Sequence, residues 1–332
     1  MVFNYSKMMF MMMTIMSSLM VLSADNWLGM WMGLEINLMS FIPLISKSKN
    51  KSTSQAMMIY FLTQSIGSIT LLFSVLMNSM ILLNLPFNKL IMILMYISIM
   101  IKIGMAPFHL WLPEMLSNLP WFEALILLTW QKVGPLFVLN NMNPNMWLIY
   151  FSAISSAMIG AIGGLNQTSL RKILAYSSIN HLGWMTLFMS MNISWYKYLM
   201  IYSLLIFLLC TILSGNNFYF INQINSSSVS MMEKYLFSIM LLSIGGLPPF
   251  IGFLPKWMVI QSMIKTNLYF ILILMMFFSL ITLFYYLRLI SSMILLYSST
   301  NKWNKYSKMN NFFIYMIYLI NLSLPVFSII NF

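Results

Sequence analysis

Glu35, Lys102, Lys132, His181 and Lys256 are ionisable side chains set inside long apolar runs. Asp25-Asn26 reads as a helix N-cap, which puts Glu35 roughly 15 Å along that helix at 1.5 Å per residue. Lys132 lies roughly 18 Å beyond Pro120, His181 roughly 15 Å beyond Arg171, and Lys256 roughly 14 Å before Lys265. Lys102 falls midway between Asn88 and Glu114. Against a hydrocarbon core about 30 Å thick, all five positions are central. A charged Lys or Glu there costs about 2.5–3.5 kcal/mol on insertion scales. One glutamate does not neutralise three lysines, and desolvation disfavours the charged form of such groups. The chemistry they suit is uptake and release of protons. The alternative is a set of pairs that only holds a helix bundle together.

Other charges have simpler readings. Arg288, roughly 31 Å beyond Asn267, reaches the far interface and snorkels. Glu123, just after Pro120, suits the first turn of a helix, facing its macrodipole. Glu233-Lys234 reads as an interfacial pair at a span entrance.

The elements that must position these groups are membrane helices. The chain has 332 residues, 61% hydrophobic and 7% charged, with mean hydropathy +0.86. That composition belongs to a polytopic membrane protein. About eleven apolar segments are long enough to span, at about 8–24, 27–46, 56–79, 88–106, 120–139, 147–165, 172–190, 196–221, 232–264, 268–297 and 311–330. Short polar connectors leave no room for a domain outside the membrane. The expected fold is all-α, one membrane domain over 1–332. Its first half covers about 8–139, its second about 147–297, and a C-terminal helix about 311–330.

Seventeen basic residues against five acidic ones set the net charge at +12. With that span count, Lys7, Lys47, Lys49, Lys51, Arg171, Lys172, Lys234, Lys302, Lys305 and Lys308 share one side, while Lys89, Lys197 and Lys265 fall on the other. The bias places the N-terminus on the negative side of the membrane and the C-terminus across it, and it speaks for topology rather than nucleic-acid binding. Lys7 and the apolar run after it read as a first span, since no A-x-A-like cleavage site follows. The lone Cys210 excludes a disulfide framework and cysteine-ligated iron-sulfur or zinc sites, and two histidines are too few for a haem bundle. Neither GxGxxG nor GxxxxGK[ST] occurs, so no nucleotide cradle is recognisable.

One pattern occurs twice. PFHLWLPE (107–114) and PFIGFLPK (249–256) share PF-x-x-aromatic-LP-charged, each preceded by Ile-Gly, at 103–104 and 244–245. An odd number of spans between the copies predicts inverted-topology repeats. Segment 232–264 would run about 50 Å as one straight helix, too long for a bilayer, and its glycines and prolines predict a break beside Lys256. A broken span frees backbone groups that water and ionisable side chains can satisfy, so a wet pocket at mid-depth is expected there.

WMGLEINLMSFIPL (31–44), IKIGMAPFHLWLPE (101–114), TWQKVGP (129–135), QTSLRKILAYSSINHLGW (167–184) and GGLPPFIGFLPKW (245–257) lie in order along nearly the whole chain. These stretches closely resemble the antiporter-like, proton-pumping membrane subunits of respiratory complex I. The resemblance implies a fold with discontinuous helices and inverted repeats, in a subunit of H+-translocating NADH:ubiquinone reductase. Glu35 resembles the family's membrane glutamate, Lys102 the first-half lysine it pairs with, Lys132 the connecting lysine and Lys256 the terminal lysine of the second half-channel. His181 matches a histidine of the central hydrophilic axis.

The resemblance further implies no redox centre or cofactor in this chain. NADH, FMN, iron-sulfur clusters and ubiquinone would belong to other subunits of the complex. Its implied partners are other complex I membrane subunits, including neighbouring antiporter-like ones, and membrane lipids. The 37 methionines and scarce arginine resemble insect-type, mitochondrially encoded members, which implies the mitochondrial inner membrane with the N-terminus on the matrix side. Full-length family members carry additional N-terminal helices, so this chain departs from them by lacking the first ones. A cation/proton antiporter subunit sharing the fold and a non-pumping scaffold subunit are the competing readings.

Overall fold

A computed structural model describes residues 5–46, 51–80, 85–142, 144–191, 194–226, 231–297 and 311–323. Lys47, Lys49, Lys302, Lys305 and Lys308, and the last part of the expected C-terminal span, lie outside them. Among the described residues the chain is helical, with one isolated bridge between Ser169 and Phe220. It divides into two compact units, 1–149 and 150–332.

In the first unit the helices are α1 (Tyr5–Ser23), α2 (Trp27–Ser46), α3 (Lys51–Met80), α4 (Leu85–Ile103), α5 (Trp111–Asn118), α6 (Trp121–Leu128) and α7 (Val133–Met142). Asn26 starts α2 as expected, its carbonyl accepting from Met30 N at 3.1 Å. Pro120 stands at the N-cap of α6 with Glu123 in the first turn. The structure adds a partner for that acid. Lys7, on α1, donates to the buried Glu123 at 2.8 Å. α1 and α2 approach closely through Gly33, where a Cβ would lie 2.6 Å from Val21 Cγ2 and 3.1 Å from the Ser17 carbonyl. Small residues let membrane helices approach in this way.

α8 (Met146–Gly164) continues into the second unit, which holds α9 (Leu170–Ser190), α10 (Trp195–Asn216), α11 (Ile221–Ser226), α12 (Met231–Gly245), α13 (Phe253–Lys265), α14 (Tyr269–Tyr297) and α15 (Asn311–Asn321). α9 is buried almost along its whole length and packs on α10, α13 and α14. Glu233 and Lys234, read from the sequence as an interfacial pair, are both buried. Arg288 reaches the Gln167 carbonyl at 3.3 Å.

Large apolar side chains cover the outside. On α14, Phe270, Ile273, Phe277, Leu280 and Phe284 recur every three to four residues and are all exposed. An outward stripe of this kind suits lipid or a neighbouring membrane subunit, not water. Among the described residues seven stretches are long and apolar enough to cross a bilayer: Tyr5–Ser23, Trp27–Ser46, Lys51–Asn78, Trp121–Met142, Met146–Gly164, Trp195–Asn216 and Tyr269–Met293. The other expected spans correspond to α4, α9, the interrupted α12 and α13, and, as far as it is described, α15. The chain is a multi-pass, all-α membrane protein.

Candidate functional site

The repeated sequence folds twice into the same break. α4 ends at Gly104 (φ +77°), whose amide and that of Met105 both bond to the Met100 carbonyl, at 3.0 and 3.1 Å. α12 ends at Gly246 (φ +80°), with Gly246 and Leu247 amides bonding to the Leu242 carbonyl at 3.0 and 3.3 Å. Each is a Schellman close, which needs a left-handed residue and hence glycine. The second half-helix then opens at the repeated aromatic, Trp111 or Phe253. Leu112 and Leu254 donate to the His109 and Ile251 carbonyls, both at 3.1 Å. The lysines, however, stand on opposite sides of these breaks. Lys102 precedes Gly104, whereas Lys256 follows Gly246. Glu114, which shares the repeat position of Lys256, is exposed.

In the first unit Lys102 and Lys132 are 6% and 3% exposed and line one cavity of about 20 Å³. That is room for about one water. Asn37, Tyr60, Gln64 and Gln131 complete its polar wall. Gln131 donates to Asn37 Oδ1 at 3.0 Å and accepts from the Tyr60 hydroxyl at 3.4 Å, while Gln64 donates to the Lys102 carbonyl at 3.1 Å. Lys132 sits in a 3-10 turn, Trp130–Lys132, that interrupts the span read as continuous over 120–139. A 3-10 stretch within a helix often marks a hinge or a strained segment.

Glu35 lies within coulombic range of Lys102 without an ion pair between them. α3 separates the two. Ser68 Oγ donates to Glu35 Oε1 at 3.4 Å, and Glu35 Oε2 is buried without a hydrogen-bond partner. One residue earlier, Gly67 packs on Lys102, where a Cβ would lie 2.9 Å from Lys102 Cγ. The direct pairing of Glu35 with Lys102 that the resemblance implies is therefore absent in this arrangement.

In the second unit Lys256 is 4% exposed and donates to the Gly245 carbonyl at 2.8 Å. The break frees that carbonyl, since the residue four positions on is past the helix end. Gly246 leaves space for the side chain, because a Cβ there would lie 2.9 Å from Lys256 Nζ. His181, on α9, is buried, with Nδ1 2.9 Å from the Tyr198 hydroxyl and its ring 4.9 Å from that of Tyr202. All five residues singled out by depth are thus positioned by helices, and Lys102 is joined to Lys132 by a shared cavity. Sequence reasoning missed Asn37, Tyr60, Gln64 and Gln131. Their signal was available, as amides and a hydroxyl within apolar runs, but without contacts a polar uncharged residue does not stand out.

A family model described as NADH:quinone oxidoreductase/Mrp antiporter, TM, matches residues 24–282. NADH-ubiquinone oxidoreductase chain 2 of Anopheles gambiae is 46% identical over 91% of this chain and 90% of its own length. The chain belongs to this antiporter-like family, among its chain 2 subunits. The chain 2 subunit of Locusta migratoria is 41% identical over 99% of this chain and 94% of its own. That of Mus musculus is 41% identical over 86% and 85%. The family's fold extends to solved membrane complexes at lower identity. A chain of respiratory complex I from Thermus thermophilus superposes with TM-score 0.77 at 18% identity, covering 98% of this chain and 77% of that one. The Mrp complex from Dietzia sp. gives TM-score 0.75 at 14% identity, over 85% of this chain and 59% of its own. Glu35, Lys102, Lys132, His181 and Lys256 all fall within the stretch that the antiporter family model matches.

Proposed function

We propose that this chain is a proton-translocating membrane subunit of an NADH:ubiquinone oxidoreductase of the mitochondrial inner membrane, with its N-terminus on the matrix side. Relatives named NADH-ubiquinone oxidoreductase chain 2, at up to 46% identity over most of both chains, support that assignment over a separate cation/proton antiporter. The observation that carries the proton chemistry is the small polar cavity shared by the buried Lys102 and Lys132.

A nearby carboxylate favours the ammonium form of a lysine, and its withdrawal favours release. Redox energy from elsewhere in the complex would shift Glu35 relative to Lys102 across α3. When Glu35 approaches, Lys102 holds its proton. When it withdraws, the proton passes through water in the cavity to Lys132. His181 and Lys256 carry out the corresponding work in the second unit. Lys256 holds its proton against the Gly245 carbonyl and surrenders it when that contact breaks. Groups so coupled titrate as a set. NADH, FMN, iron-sulfur clusters and ubiquinone are assigned to other subunits, and neighbouring antiporter-like subunits and lipids to the apolar outer faces.

The test is Lys256→Met in assembled complex reconstituted into vesicles, reading NADH-driven proton pumping and quinone reduction. Intact assembly with both activities falling together is the expected result. Both at the unmodified level would reduce Lys256 to a structural residue and leave the scaffold reading.

A further inference from the structure

Arg288 closes the outward stripe of α14 without an anion to face. The stripe of Phe277, Leu280 and Phe284 continues to Leu287, all exposed, and the exposed arginine follows. It lies roughly 31 Å along the helix from Asn267, about the thickness of the hydrocarbon core, so the guanidinium stands at headgroup depth. Among the described residues that guanidinium makes one hydrogen bond, at 3.3 Å to the Gln167 carbonyl, and no ion pair. A guanidinium carries five N–H donors in a planar fork, so most of them are left for something outside the chain. The second unit has little charge to offer them. One acid, Glu233, stands there against ten basic residues, and it is buried.

The surroundings select what such an anion is attached to. Gly164, the last residue of α8, packs on α14, where a Cβ would lie 2.8 Å from Tyr285 Cε1. The two helices therefore meet at this end. α8 has an outward stripe of its own, Phe151, Met158 and Ile162. Both stripes run to the loop after α8, where Asn166 and Thr168 are exposed on either side of Gln167. Interfaces between membrane helices favour small residues that let backbones approach, whereas every exposed residue from Phe270 to Leu287 on α14 and from Phe151 to Ile162 on α8 is large and apolar. Faces of that kind suit acyl chains. A cationic fork with an amide and a hydroxyl nearby suits phosphate oxygens.

We propose that this corner of the second unit binds an anionic phospholipid. Its phosphate pairs with the Arg288 guanidinium, with Asn166 and Thr168 beside it, and its acyl chains lie along the stripes of α14 and α8. The lipid supplies the negative charge that the unit lacks, and the planar fork of the arginine matches two phosphate oxygens at once.

The experiment places assembled complex in phosphatidylcholine vesicles containing one of two photoactivatable lipids, a phosphatidylglycerol or a phosphatidylcholine with the same diazirine-bearing acyl chain. Mass spectrometry reads the label on peptides of α14 and α8. The site predicts about fivefold more label from the glycerol lipid, which corresponds to about 1 kcal/mol for one basic residue near an anionic headgroup. Arg288→Gln should bring the two labels to one level, and Arg288→Lys should keep part of the difference, since the charge remains without the fork. Equal labels in the unmodified complex overturn the site, whether or not a variant assembles. Absence of both labels from these peptides overturns it too, because a protein then covers the face. A preference that persists in added inorganic phosphate supports the lipid. One lost in phosphate, but not in chloride of equal ionic strength, assigns the corner to a free anion and overturns the lipid.

Discussion

Lys256 shows how a single side chain is made tolerable at mid-membrane depth. An ammonium without partners there is costly, and the Schellman close of α12 supplies a carbonyl at 2.8 Å. The glycine that allows the close also leaves space for the lysine. Gly246→Ala would therefore act twice. A non-glycine residue in the left-handed region costs about 1–2 kcal/mol, and the added methyl would displace Lys256 from Gly245. We expect a lowered thermal unfolding midpoint of the complex together with impaired NADH-driven pumping. A variant with both at the unmodified level would mean that the lysine does not depend on this geometry. Lys102 is held differently, with Gly67 making room for its stem and Gln64 bonding its carbonyl.

At the scale of elements, the first unit ties the start of one helix to the start of another through an ion pair. The Lys7–Glu123 pair pins the start of α1 to the start of α6, with Glu123 buried and Lys7 partly exposed. Removing one partner of a buried pair costs about 3–5 kcal/mol because the other charge is left uncompensated, and the exposure of Lys7 puts this pair toward the lower end. Lys7→Met should reduce the yield of assembled complex and its resistance to heat, while Lys7→Arg should restore both. Equal stability of the methionine variant would show that water compensates Glu123. The 3-10 turn at Lys132 works at the same scale. It turns the lysine and Gln131 toward the cavity at the point where α6 gives way to α7.

For the whole molecule, the open question is which way it faces. In the proposed orientation, which follows the bias of lysines and arginines, Lys172 would lie on the matrix side and Lys265 across the membrane. Cys210 is buried, so the native chain offers little background to a thiol label. Single variants Lys172→Cys and Lys265→Cys, treated with a membrane-impermeant maleimide, should differ. Lys265→Cys should react from the intermembrane-space side, and Lys172→Cys only in inverted vesicles. The opposite pattern would reverse the proposed topology and the direction of every proton step.

Much of this was legible in the chain. Apolar run lengths determined the membrane class and the all-α fold, because a bilayer admits few other structures. Counting residues from capping and surface positions found Glu35, Lys102, Lys132, His181 and Lys256, since helical rise converts sequence distance into depth. The paired Pro-Phe motifs announced the two breaks. The partners were decided only by the tertiary structure. Nothing local joins Gln131 to Asn37, Lys7 to Glu123, or Arg288 to Gln167, because these contacts depend on which helices lie side by side. The depth of Glu35 likewise could not reveal that α3 stands between it and Lys102. Depth is a property of one helix, whereas a proton path requires distances between several.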